Sequence, residues 1–411
     1  MRIALPGSGE TIRLDGKPVI IAMCVGQLGS LLPHVVVPAL LAGFLIPEWH
    51  LSGAQAGLLA GSGAAGYMLA VPVLATLTDR IDARRILIVG SAVSAFGTVL
   101  FGLFASGLWS GALCNAIAGI GFAGAYMPGL KALTDRLAPG DSSRAVTLYT
   151  SSFSVGVGLS FLVAQLVAEN LGWRAAFLVT AIGPLVMLTV SALLKPVEPK
   201  PTSGRLLNFA PVVRNTSAMG FVLGYGAHCF ELYGIRTWIV AFWTFVVARH
   251  PSVLSPLIVS FVFSILAMPA SILGNELALK LGRHRAITAV MFASGAVALL
   301  IGLMSDQSPW VLIPLLLVYA LTVPADSGAL TSGMTMAADP ANRGATMALH
   351  STVGFSLSAL GAWALGVALD AAGGPASASA WTAAFAVLAF GILLGPLALY
   401  WSRTAASQKS A

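Results

Sequence analysis

Polar positions are scarce along this chain, and the apolar residues between them neither alternate nor keep to one helical face; they come as near-continuous runs of about 20 residues or more. A helix of that length spans the roughly 30 Å hydrocarbon layer of a bilayer. Twelve such runs predict helices at about 18–45, 53–77, 86–105, 108–130, 145–168, 173–194, 216–247, 254–275, 286–304, 309–336, 344–369 and 379–402. The first is too long for a signal-peptide core and has no evident small-residue cleavage site, so it is expected to stay as a spanning helix. The segments between runs are short, and no separate soluble domain is expected.

Composition agrees: mean hydropathy is +0.88, and 9% of residues are charged, against about 25% in a soluble domain. The formal charge of +7 would suggest a polyanion partner in a soluble protein, but here the placement of the basic residues decides. With the N-terminus inside, 19 of the 22 basic residues, Arg2, Arg13, Lys200 and Arg205 among them, fall on one side. Arg174 and Arg249 fall on the other, and Arg236 lies inside a helix. That bias fits twelve spans with both termini cytoplasmic, in a lipid bilayer and with no nucleic-acid partner.

The chain reads as duplicated. Two charged stretches, T-D-R-I-D-A-R-R (Thr78 to Arg85) and K-L-G-R-H-R (Lys280 to Arg285), lie about 200 residues apart, each between two apolar runs. R-A-V-T-L-Y-T-S-S-F-S-V-G from Arg144 and R-G-A-T-M-A-L-H-S-T-V-G from Arg343 open the fifth helix of each half. A proline-rich, charged stretch marks the joint. The expected organisation is an all-α integral membrane protein of two pseudo-symmetric six-helix bundles, 1–195 and 216–411, joined by a cytoplasmic linker at 196–215.

At these residues the sequence resembles the major facilitator superfamily. The family signature G-x-L-x-D-R-x-G-R-R is kept at Leu77, Asp79, Arg80, Arg84 and Arg85, with Ala75 and Asp82-Ala83 replacing its glycines. In the second copy Gly282, Arg283 and Arg285 fit beside Lys280, while Leu279 takes the acid's position and Glu276 is the nearest carboxylate. G-W-R-A-A-F, from Gly172, is similar to the family's entry into helix six. The resemblance implies transport by alternating access, with Asp79 and the basic clusters holding one face shut across the bundles. The basic residues are also explained by topology alone. Many proton-coupled exporters of the family carry an arginine in helix four, where this chain has Asn115, which weakens a multidrug-exporter reading.

Ionisable groups deep in apolar helices are costly and mark candidate chemistry. They are His228, Glu231 and Arg236 in helix seven, Asp326 in helix ten, His34 in helix one and His350 in helix eleven. His228, Glu231 and Trp238 share one helical stripe, with Arg236 about a third of a turn away. In the resembled family helices one, four, seven and ten line the cavity, so His34, His228, Glu231 and Asp326 are expected around one water-filled site. Two structural alternatives stay open: Glu231 paired with Arg236, and Asp326 capping a break made by Pro324. Two acids against one arginine leave a negative charge that a proton would balance, so Glu231 or Asp326 is the expected proton-coupling acid, with His228 sharing the proton. Arg236 suits an anionic substrate and the net negative site a cationic one, leaving the substrate's sign open.

Cys24, Cys114 and Cys229 lack metal-ligand spacing and read as packing residues. Trp49, Trp109, Trp173, Trp310 and Trp401 read as interfacial anchors. No phosphate-binding glycine motif is present to drive ATP-powered pumping. No metal, cofactor or catalysis is expected: His228 and Glu231 are half a metal site that nothing completes. The expectation is a monomeric secondary active transporter moving a small solute with protons, in a bacterial inner membrane. A facilitative uniporter or a drug or metabolite exporter of the same fold is the alternative, ahead of a membrane sensor or enzyme.

Overall fold

The computed structural model describes residues 14, 16–137, 142–199 and 207–410. Arg2, Arg13, Lys200 and Arg205 lie outside the described residues, as does the centre of the linker. Among the described residues the secondary structure is helical, apart from one bridge that ties Leu14 to Leu194.

The spans are α1 (Lys17–Leu31 continued by Val36–Trp49), α2 (Gly53–Leu77), α3 (Ala83–Phe104), α4 (Leu108–Thr134), α5 (Ser142–Leu171), α6 (Trp173–Leu193), α7 (Thr216–Arg249), α8 (Pro256–Leu281), α9 (Arg283–Leu303), α10 (Pro309–Ala337), α11 (Arg343–Ala371) and α12 (Ala378–Arg403). Eleven are long and apolar enough to cross a membrane, and α1, bent by 44° at its break, makes the twelfth. Local chemistry sets their starts: Ser52 and Gln55 form a capping box on α2, and Asp82, Asn215 and Ser255 cap α3, α7 and α8. Gly172 and Gly282 join successive spans at φ +86°, a turn that a side chain would strain.

Four spans expected to be continuous are interrupted: α6 and α12 by one residue each, Ala181 and Leu393, and α1 and α10 by longer breaks. In α1, Pro33 removes an amide donor, and the freed groups are met from α5: Val35 N–H donates to Ser160 Oγ at 3.2 Å, and the Ser160 hydroxyl donates to Leu32 O at 2.6 Å. In α10 the helix stops at Thr322 and restarts at Ser327, around Pro324. Gly274 of α8 passes so close to this break that a Cβ there would lie 1.8 Å from Ala325 O.

The two halves repeat one packing scheme. In the first, α1 packs on α5 and α6, α2 on α4, and α3 on α6; in the second, α7 packs on α11 and α12, α8 on α10, and α9 on α12. The bundles meet along α2 with α11 and α5 with α8. At the end opposite the chain termini this seam is tight. A Cβ on Gly57 would come 2.3 Å from Ala362 O, and one on Gly366 would come 2.0 Å from Gly53 O. Beside them Asp370, at the end of α11, accepts the Gly53 and Ala54 amides at 2.6 and 2.8 Å, so it caps the N-terminus of α2 across the seam. On the other seam Gln165 of α5 donates to Ser260 Oγ of α8 at 3.1 Å.

The tryptophans divide. Trp109, Trp310 and Trp401 are exposed at helix ends, as membrane anchors should be. Trp173 is instead buried, packed with Trp49, Phe101 and Phe177 and donating to Glu48. The interfacial expectation fails there because the Trp49 and Phe101 rings cover the indole from the neighbouring helices.

Candidate functional site

Midway along the seam lies a cavity of about 60 Å³, room for about two water molecules at their liquid volume. Both bundles line it. From the first come His34 in the break of α1, Tyr67 of α2, and Asn115 and Phe122 of α4; from the second come Tyr233, Arg236 and Thr237 of α7 and Phe355 of α11. Tyr67 stacks on Phe355 across the seam with ring centroids 3.6 Å apart, walling the cavity with aromatic faces.

The break in α1 is what brings His34 here. Its ring packs against Phe122 and Phe153, and Nε2 lies 3.3 Å from the Tyr233 hydroxyl, a contact between the bundles. Asn115 donates to Leu59 O and Ser62 Oγ at 3.1 and 3.0 Å and so ties α4 to α2.

Arg236 supplies the cavity's cation. It is 3% exposed, with the guanidinium carbon 5.2 Å from the centroid of the Tyr233 ring. Its Nε and Nη1 have no hydrogen-bond partner among the described residues, and no carboxylate pairs with it. An arginine so buried, in the lining of a cavity and with two donors unpartnered, leaves an energetic deficit that an anion bound beside it would relieve.

His228, Glu231 and Asp326 do not line this cavity, which corrects the expectation of a single site. They lie inside the second bundle. His228 Nδ1 is 2.7 Å from Asp326 Oδ1, a contact that is an ion pair only when the imidazole is protonated, and neither atom makes an aligned hydrogen bond. Glu231 turns to α9 and α10 instead, where Ser294 and Tyr319 donate to Oε1 at 2.7 and 3.0 Å and Oε2 is left without a partner. So the Glu231–Arg236 pair is not formed. Nor does the Asp326 side chain cap the break at Pro324, although the residue stands at that helix start; its carboxylate goes to His228. Tyr225 lies between His228 and His350, stacked on His350 at 3.8 Å, and His350 Nε2 is 3.4 Å from Thr331 Oγ1. Trp238 is fully buried and donates to Ala362 O at 2.9 Å, a contact inside the second bundle.

The charged stretches also separate. Asp79 approaches the first turn of α11: a Cβ on Gly344 would lie 3.5 Å from its Oδ2. That sets a carboxylate of one bundle by the positive end of a helix of the other. Burial raises the Asp79 carboxyl above its ordinary value, with Lys131 pulling it down and Asp135 pushing it up. Arg84 donates to Ser191 O and Ala192 O at 2.9 and 2.8 Å, binding α3 to α6 within its own bundle, while Arg80 and Arg85 are exposed. In the second copy Arg283 reaches Met336 Sδ at 3.0 Å, and Glu276, Lys280 and Arg285 are exposed. Glu276 makes no ion pair with a described residue, one turn short of where Asp79 stands in its own bundle.

Sequence reasoning missed the knot at Asp82. Its carboxylate accepts from Arg136 Nη2 at 3.0 and 3.1 Å, from Arg84 N at 2.9 Å and from Val197 N at 3.0 Å, while Arg136 also donates to Lys195 O at 2.7 Å. Burial raises this carboxyl, but the Val197 and Arg84 amides and the Arg136 guanidinium outweigh it and hold it below the usual carboxylate range. The signal was present as an acid standing in place of the signature's second glycine.

With this geometry in view, comparison with known proteins decides the family: the model of the Major Facilitator Superfamily matches residues 20–362. The chain belongs to the Major Facilitator Superfamily. As a superfamily member with this many apolar spans it is an integral membrane protein. Among curated relatives, a probable sphingolipid transporter, spinster homolog 1 of Arabidopsis thaliana, is 26% identical over 37% of this chain and 30% of its own length. The gallate transporter of Pseudomonas putida is 29% identical over 38% of this chain and 34% of its own. The matches therefore span about a third of these relatives. Among solved structures, a bacterial homologue of the human lysosomal transporter Spinster, inward-facing and unoccupied, superposes with a TM-score of 0.72 at 19% identity, covering 96% of each chain. The POT family transporter PepTSo gives 0.74 at 14% identity, over 95% of this chain and 98% of its own. At such identities these superfamily structures share the fold.

Proposed function

We propose that this protein is a proton-linked secondary transporter of a small organic anion, working by alternating access about the cavity between its bundles. The observation that carries the reading is Arg236: a buried guanidinium in the lining of the cavity, with two donor nitrogens unpartnered and no carboxylate among the described residues paired to it. Nε and Nη1 lie on different edges of the guanidinium, so each offers an anion such as a carboxylate a single charge-assisted hydrogen bond. The aromatic walls favour a ring beside that carboxylate, and a cavity of about 60 Å³ must widen as the bundles part to admit one. The relative named for gallate, an aromatic carboxylate, agrees with that class.

Coupling falls to the second bundle. An anion on Arg236 neutralises the one buried cation of α7, so Glu231 and the His228–Asp326 pair are left with excess negative charge and a proton is the natural co-substrate. Glu231, with Oε2 unpartnered, is the first candidate to carry it. His34 bridges the bundles through Tyr233 and would report occupancy across the seam. Asp79 at the start of α11 and Asp370 at the start of α2 act as latches on opposite faces, so that releasing one allows the other to close.

In this reading residues 1–195 and 216–411 move as the two units about the linker at 196–215, and the termini face the cytoplasm of a bacterial cell. In this reading a single chain is the transporting unit, its two bundles supplying both walls of the cavity. The test is uptake of labelled gallate, nicotinate and benzoate into proteoliposomes under an imposed pH gradient. Accumulation of one of them by the wild type, abolished in Arg236→Ala, is expected. Transport of cationic or neutral solutes that is indifferent to Arg236 would overturn the reading.

A further inference from the structure

On the outer surface of the second bundle, away from the cavity between the bundles, α9 and α12 enclose a groove of about 520 Å³ at the end of the molecule that carries the chain termini. Three of its lining residues, His284, Arg285 and Arg403, are basic or titratable to a cation, and among the described residues no carboxylate lines it. Neither arginine forms a salt bridge with a described residue. The remaining wall is apolar and open to the surroundings: Phe292 is 54% exposed and Leu397 63%.

Depth in the membrane follows from the sequence around the groove. Arg283 begins α9, and Tyr400 and Trp401 end the apolar part of α12, the position amphipathic rings take at the headgroup level. The cations therefore stand at headgroup depth, while Phe292 and Leu397 lie further along the same helices, toward the hydrocarbon. A free phosphate would satisfy the arginines and leave the apolar wall uncovered. A lipid with an anionic headgroup satisfies both.

We propose that this groove holds one anionic phospholipid, its phosphate on Arg285 and Arg403 and an acyl chain against Phe292 and Leu397. Arg285, part of the second charged stretch, thereby has a role that topology alone does not give it. The site is independent of the substrate reading, since none of its residues lines the cavity between the bundles.

The experiment is native mass spectrometry of the detergent-purified protein titrated with phosphatidylglycerol or phosphatidylcholine of matched chains. The expected result is preferential retention of phosphatidylglycerol, with R285Q/R403Q weakening it about 30-fold, as two surface cations at headgroup depth imply. R285K/R403K should keep most of the preference. Equal retention of the two lipids, or an unchanged preference in R285Q/R403Q, overturns the proposal. So does complete displacement of phosphatidylglycerol by millimolar inorganic phosphate, which would identify a free-phosphate site. Should R285Q/R403Q aggregate, the wild-type preference and the phosphate competition decide alone.

Discussion

Replacing Gly57 with alanine should push the bundles apart on the face opposite the termini. The added methyl would lie 2.3 Å from Ala362 O and 2.9 Å from Trp363 Cα, where ordinary contact begins near 3.4 Å, so α2 and α11 must separate by about 1 Å at that level. The two helices belong to different bundles, so rotation about the cavity relieves the overlap without opening either core. Overpacking of this size costs about 1–3 kcal/mol where it cannot relax. If the open state escapes that cost, the closed-to-open equilibrium shifts about 5- to 150-fold. Spin labels at Ser106 and Gln307, on the loops after α3 and α9, would read the separation in a background lacking Cys24, Cys114 and Cys229. A longer-distance population should grow in Gly57→Ala. Gly119→Ala is the control, because its methyl meets Gly63 O at 1.9 Å inside the first bundle; it should lower the melting temperature and leave the distance unchanged. An unaltered distance distribution in Gly57→Ala, with destabilisation alone, would refute the assignment of this contact to the gate.

Three further outcomes are expected. Asp370→Asn removes the charge that caps α2 across the seam and should favour the same opening by less than tenfold, about 1 kcal/mol for an exposed carboxylate at a helix N-terminus, read with the same labels. Asp82→Asn breaks a buried ion pair with Arg136 and should cost about 3 kcal/mol in thermal unfolding at neutral pH. Because the Asp82 carboxyl is held below its ordinary value, its contribution is complete above about pH 4 and is lost as pH falls through the depressed native value, so wild type and variant should converge in acid. Glu231→Gln should retain counterflow exchange of the substrate and lose accumulation driven by a pH gradient; undiminished accumulation would remove Glu231 from the coupling path.

Much of the architecture could be read from the chain because bilayer thickness imposes run length and topology imposes the placement of arginine and lysine. The breaks were less legible. Pro33 and Pro324 were visible, but whether a proline bends or interrupts a span depends on what meets the freed backbone, and Ser160 and Gly274 come from other helices. The site was half legible for a similar reason. Deep charge identified Glu231, Asp326, His228 and Arg236, yet helical spacing cannot say which face of α7 meets the other bundle. Arg236, a third of a turn off the stripe of His228 and Glu231, is the one on the cavity, while that stripe turns into its own bundle. Trp173 shows the same limit, since a helix-end position does not reveal that Trp49 and Phe101 cover it.

The most direct measurement is binding of an aromatic monocarboxylate such as gallate to the purified protein by calorimetry, in wild type, Arg236→Lys and Arg236→Ala. Binding in the wild type, weakened in Arg236→Lys and lost in Arg236→Ala while the fold survives, is the predicted result. Undiminished affinity in Arg236→Ala would contradict the assignment of Arg236 as the anion's partner in the cavity.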